Sequence, residues 1–232
     1  MIQFIPTDKL KENSESMHSE LVSMYLSNTS LQLSALSKKL VTVEENHRDK
    51  LNDYLKTKFD DYEMSLLWSC LNDKVGYHPE FHTDLSRIVL NNLSNSVPEI
   101  LYRGISKRQL SLVEPLEIGE SFNLGRVTSF SSSLDTARSF SCDVYKTDFI
   151  IEVRNSEYAY NYKEDMLKIL QAAPDSEFSC KGERLDKIDM VRDENEFMMP
   201  IETEYTIVDK AVHVPFGLGR AINFLAVEAI IF

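Results

Sequence analysis

Arg103, Ser131, Glu194 and Glu196 are the residues of this chain best suited, by type and spacing, to do chemistry at one site. They sit in three short strings: Leu101-Tyr102-Arg103-Gly104, then Ser131-Ser132-Ser133, then Glu194-Asn195-Glu196. An arginine fork matches phosphate oxygens. A hydroxyl row orients neighbouring groups, and a carboxylate stabilises positive charge that develops beside it. Together they suit a site that holds a dinucleotide by its phosphates and breaks a glycosidic bond beside a carboxylate.

Arg103 follows an apolar run, so a strand end would deliver it rigidly, and Gly104 would let a ligand approach the backbone closely. In an extended segment Ser131 and Ser133 face one way and Ser132 the other, so one hydroxyl serves the site while its neighbour anchors the strand or caps the next helix. Glu194 and Glu196, at i and i+2 on a strand or its entry, are expected on one face, where like charges raise each other's pKa. Each string also has a plainer alternative. Arg103 would serve as a surface ion-pair partner, the serines as turn or cap residues, and the glutamates as part of a solvated patch with Asp189, Arg192 and Asp193. Competing sites are weaker. Gly217-Leu218-Gly219 lacks the third glycine of a dinucleotide fingerprint, and His78 and His82 flank Pro79 without a metal-binding pattern.

Residues 8 to about 95 read as helical. Phe59, Tyr62, Leu66, Leu67 and Cys70 recur at helical spacing behind Asp60 and Asp61, and Phe81, Leu85, Ile88, Val89 and Leu93 repeat the pattern behind Pro79. Leu21, Met24 and Tyr25, then Leu33, Leu36 and Leu40, suggest two further helices upstream. After Asn95-Ser96-Val97-Pro98 the character changes to short β-type runs at 100–102, 127–130, 149–153, 197–199 and 205–208, and in the apolar tail. Helical pieces intervene near Asp135–Phe140 and Glu164–Leu170. The expected fold class is α+β, with a helical N-terminal portion, residues 1–97, packed on a strand-rich portion, residues 98–232.

With 43% apolar and 27% charged residues, the chain reads as one globular unit. Its tail from Ala221 to Phe232 is too short and too polar to span a bilayer, and Met1 to Pro6 does not resemble a signal peptide, so no membrane role and a cytoplasmic home are expected. Cys70, Cys142 and Cys180 form no CxxC pair, so reduced thiols are expected and no metal. A net charge of −12 disfavours unaided or sequence-specific nucleic acid binding.

The strings Tyr102-Arg103-Gly104-Ile105, Phe130-Ser131-Ser132-Ser133-Leu134 with Ala137 and Phe140, and Glu194-Asn195-Glu196-Phe197-Met198-Met199-Pro200 resemble the R-S-E mono-ADP-ribosyltransferases. With the segment Lys58 to Cys70 added, the chain is most similar to the ModB-type enzymes of T-even bacteriophages over about residues 55 to 210. The first fifty-five residues receive no role. The resemblance implies a β-sandwich ADP-ribosyltransferase core, NAD as co-substrate and no metal. Arg103 would contact the NAD phosphates, and Gly104 would offer backbone groups to the nicotinamide amide. Ser131 would orient Glu196, which steadies an oxocarbenium-like centre as nicotinamide leaves. Glu194 would position an acceptor guanidinium. Lys181 to Asp193 corresponds to the substrate-recognising ARTT loop, while Tyr145 and Lys146 fall in a loop that closes on NAD. Ser132 stands where the family usually has Thr. The implied reaction is arginine-specific ADP-ribosylation of host proteins during phage takeover. Its implied acceptors are translation-related, either ribosomal or RNA-binding, and NAD-capped RNA is a second implied donor (RNAylation). NAD glycohydrolysis and a catalytically degenerate NAD-binding module stand as alternatives.

Overall fold

The computed structural model describes residues 45–71, 79–141, 147–214 and 220–232. The chain divides into two compact units, Met1–Asn52 and Asp53–Phe232. In the first, the described residues 45–52 are helical. The second begins with helical residues 53–58 and continues through α1 (Asp61–Ser69), α2 (Pro79–Asn91), β1 (Ile100–Gly104), α3 (Lys107–Val113), β2 (Ser121–Phe122), β3 (Thr128–Ser131) and α4 (Leu134–Ser139). Next come β4 (Thr147–Arg154), α5 (Tyr162–Ala172), α6 (Lys181–Glu194), β5 (Glu196–Met199), β6 (Thr203–His213) and β7 (Ala221–Ile231). The fold class is α+β, as the sequence pattern predicts. The helices expected around Leu21 and Leu33, together with Tyr145, Lys146, His78 and Gly217-Leu218-Gly219, lie outside the described residues.

Local chemistry accounts for the element starts. Asp60 caps α1 in a capping box: its side chain accepts from the Glu63 amide while Glu63 accepts from the Asp60 amide. Ser106 and Gln109 form the same device at α3, and Ser133 caps α4 by accepting from the Thr136 amide.

The seven strands run in the order β2-β6-β7-β4-β1-β3-β5, with β4 and β7 parallel and the other pairs antiparallel. In a flat sheet β6 and β3, four places apart, would be separated by roughly 19 Å. Yet the Tyr205 ring of β6 lies 5.9 Å from the Phe130 ring of β3, and Phe122 of β2 stacks on Tyr205 at 5.4 Å. The sheet therefore folds over on itself, and its halves face each other as a sandwich. The enclosed core holds Leu101, Phe130, Ile151, Val153, Phe197, Met199, Tyr205, Ile207 and Val227.

Strand β5 ends the sheet order but does not leave its outer edge bare. Tyr160 exchanges both main-chain hydrogen bonds with Met198, at 2.8 and 2.9 Å. The Tyr160 hydroxyl donates at 3.0 Å to the buried Asp165, which also takes Lys58 Nζ at 2.5 Å. The edge is thus covered and tied to the helical layer, with α1 against α5 and α5 against β5.

Phe130 is 2% exposed and joins the two halves. Phe130→Ala is expected to lower unfolding free energy by about 3–5 kcal/mol, read from the denaturant midpoint at unchanged slope.

Candidate active site

A cleft of about 300 Å³ is lined by Arg103, Gly104, Ser131, Glu194 and Glu196. Tyr102, Gln109, Ser129, Thr136, Phe140 and Cys70 complete most of its wall. All five described residues singled out from sequence therefore converge on one cavity, although they come from β1, β3, the end of α6 and the start of β5.

The register explains the convergence. Tyr102 of β1 pairs with Ser131 of β3, and Ser131 pairs in turn with Glu196 of β5, so three adjacent strands bring the three strings side by side. Arg103 Nη1 donates to the Ser129 carbonyl at 2.7 Å, which fixes the guanidinium against β3.

Gly104 is needed for a reason other than ligand approach. A Cβ there would overlap the Ala137 carbonyl oxygen and come within 2.6 Å of the Phe140 carbonyl carbon. The protein's own α4 occupies the space a side chain would need, while the Gly104 backbone still lines the cleft.

The glutamates do not lie at i and i+2 along one strand. Glu194 is the last residue of α6, Glu196 the first of β5, and Asn195 between them adopts a left-handed conformation with φ 43° and ψ 56°. Asn is among the few non-glycine residues that accept this region at low cost. The pair shares a cleft because the chain reverses at Asn195, not through strand alternation. The segment Lys181 to Asp193, expected as a loop, is helix α6, packed against α5.

The serines divide their work. Ser131 Oγ donates at 2.6 Å to the Glu194 carbonyl and accepts from the Ser133 amide at 3.0 Å. The hydroxyl that favours the ionised Glu196 carboxylate is that of Ser129, while Ser131 is engaged with the Glu194 carbonyl. Ser132 Oγ accepts from Asn195 Nδ2, and Thr136 Oγ1 donates to the Asp193 carbonyl at 3.2 Å. Ser129 was missed in the sequence, although its two-residue spacing from Ser131 puts both on one side of β3. Cys70 and Gln109 carried no signal that would mark them.

Burial pushes the Glu196 carboxyl up to about 7. The Ser129 hydrogen bond opposes this, the Glu194 charge adds to it, and the Arg103 guanidinium pulls it down. Burial also drives the Cys70 thiol upward, with Glu196 adding to the effect, so this wall of the cleft is neutral. Among the described lining residues Arg103 is the one cation, set against two carboxyl groups. A cation, aromatic rings and hydroxyls around a cavity of this size fit the nicotinamide-ribose end and a phosphate of NAD.

Sequence comparison with known proteins agrees with this chemistry. The family model described as bacteriophage T4 Mod ADP-ribosyltransferase matches residues 24–215. The NAD–protein ADP-ribosyltransferase ModB of Enterobacteria phage T4 is 35% identical over 181 residues, covering 74% of this chain and 86% of the relative. Among solved structures, the Vis toxin of Vibrio splendidus aligns over 83% of this chain and 85% of its own, at 12% identity and a TM-score of 0.42. Exoenzyme S of Pseudomonas aeruginosa bound to carba-NAD aligns over 79% and 88%, at 13% identity and a TM-score of 0.43. The sequence match spans most of the chain and includes every residue of the cleft: this chain belongs to the Mod ADP-ribosyltransferase family.

Proposed function

We propose that this chain transfers ADP-ribose from NAD to arginine side chains of host proteins and releases nicotinamide. The observation that carries the reading is the single cleft in which Arg103 faces two glutamates, one with its carboxyl pushed up to about 7. Bound NAD supplies a ribose carbon joined to a cationic nicotinamide leaving group. Arg103 takes a phosphate, and the Gly104 backbone meets the nicotinamide amide. The Glu196 carboxylate, half-buried and aimed into the cleft, offsets the positive charge that grows at the ribose carbon. Ser129 and Ser131 act behind it, one on the carboxylate and one on the Glu194 carbonyl. Glu194, at the end of α6, receives and orients the acceptor guanidinium, which needs positioning more than activation. Tyr145 and Lys146 complete the donor site in this reading, and residues 98–232 form its catalytic core.

The acceptors in this reading are translation-related proteins of the bacterial cytoplasm, where a phage enzyme would act. NAD-capped RNA is a second donor. A chain of net charge −12 leaves the RNA portion to be held by the acceptor rather than by this protein. The test is incubation with labelled NAD and bacterial lysate, followed by mass spectrometry of the labelled residues. Label confined to residues other than arginine would overturn the acceptor assignment.

Glu196→Gln is expected to lower transfer by about two to three orders of magnitude. Glu194→Ala should abolish transfer to protein while nicotinamide release into water persists, and equal loss of both would remove the division of labour.

The Glu196 titration sets the pH dependence. Release needs the ionised carboxylate, so kcat/KM should rise with pH through an acid limb near 7. Glu194→Gln removes a like charge and should move that limb to lower pH. Stability offers a check that needs no activity. The folded-state value lies above the unfolded one of about 4.3, so the carboxyl's contribution is full below that pH and is lost as pH rises through 7. Glu196→Gln should therefore be more stable than wild type at pH 8 and no more stable at pH 4, as read by denaturant titration.

A further inference from the structure

The geometry points to Asn195 and Ser132 as a latch that sets where Glu194 stands relative to Glu196 and so decides between transfer to an acceptor and loss to water. This inference rests on the roles proposed above for the two glutamates.

The two carboxylates are held by different means. Glu196 belongs to β5, whose four residues pair with β3 from Ser131↔Glu196 to Thr128↔Met199, while Tyr160 bonds the far side through Met198. Its main chain is set by the ladder, of which it forms the last rung. Glu194 lies outside that ladder, at the C-terminal end of α6, where the last carbonyls lack intrahelical partners. Three side chains meet this end. Ser131 Oγ donates to the Glu194 carbonyl, Thr136 Oγ1 donates to the Asp193 carbonyl, and Asn195 Nδ2 donates to Ser132 Oγ.

The third bond differs from the others. It is made by the residue whose left-handed backbone sends the helix into the strand, and it ties that turn to the end of β3. Neither Ser132 nor Asn195 lines the cleft, so neither touches the reacting groups. Removing the bond would let the end of α6 shift while the β3–β5 ladder keeps Glu196 in register. A displacement of about 1 Å is enough to cost an oriented second reactant ten- to a hundredfold. Water needs no such orientation. The two steps should therefore separate.

The experiment uses Asn195→Gly, which accepts the left-handed backbone but loses the amide, and Ser132→Ala, which removes only the hydroxyl. Labelled NAD is supplied with bacterial lysate to read transfer, and without acceptor to read nicotinamide release. Each variant is expected to lower transfer about tenfold while release stays within about twofold of wild type. The double variant should be no worse than either single one, because both remove the same bond. Transfer and release falling in proportion, neither falling, or losses that multiply in the double variant would overturn the latch. The acceptor assignment is judged separately by which residue carries the label: label on a residue other than arginine overturns that reading and leaves the ratio test intact. Wild-type protein that releases nicotinamide but labels nothing overturns both.

Discussion

A carboxylate drawn out of water beside a second carboxylate is an unfavourable arrangement, and much of this fold can be understood as holding it in place. Desolvation alone raises the Glu196 carboxyl, and the charge of Glu194 raises it further. A chain free to relax would let one side chain swing into solvent. Here Glu196 is fixed by a strand ladder on one side and by Tyr160 through Met198 on the other. Tyr160 is itself tied through Asp165 to Lys58 in the helical layer. Helices remote from the cleft thus contribute to it by making the edge strand rigid.

The same economy appears in α4. Its N-terminal side supplies Thr136 to the end of α6, while its C-terminal turn fills the space over Gly104, next to Arg103. This six-residue helix therefore spans from the cation to the carboxylate pair. A side chain at position 104 would drive α4 outward and loosen both ends together. That explains why glycine stands there without invoking any ligand.

The sequence made the strands and the site legible for local reasons. β-branched and aromatic runs marked β1, β3, β4, β6 and β7, and Asp60 with Asp61 marked the start of α1. Arg103, Ser131 and Glu196 were recognisable because their residue types are uncommon together, and the sheet register then brought them into one cleft. Features set by contacts between distant parts of the chain were not legible. Helix α6 is rich in charge, carries Gly182 in its first turn, and buries Ile188 and Val191 while leaving Leu185 exposed, so its pattern resembles a polar loop. It packs against α5, a contact no local window of sequence contains. The folding over of the sheet rests on Phe130 meeting Tyr205, which no window of sequence contains. The reversal at Asn195 was hidden because Glu-Asn-Glu reads equally well as a strand entry.

The charge balance of the cleft gives the proposed reaction its direction. Among the described lining residues Arg103 can compensate one of the two carboxylates, which leaves an excess of negative charge when both are ionised. A bound phosphate would claim that guanidinium, so Glu196 would lose part of the interaction that now favours its ionised form. The positive charge of the bound donor would then sit on the nicotinamide ring rather than at the ribose carbon. As the bond to nicotinamide lengthens, that charge would pass from the ring to the ribose carbon, where the proposal places the Glu196 carboxylate. The interaction is therefore stronger at the point of bond breaking than before it, which is the condition for lowering a barrier rather than only tightening binding. In the proposed reaction a better-solvated Glu196 would bind the donor with less penalty and catalyse less, so the unfavourable burial of this side chain would contribute to the rate.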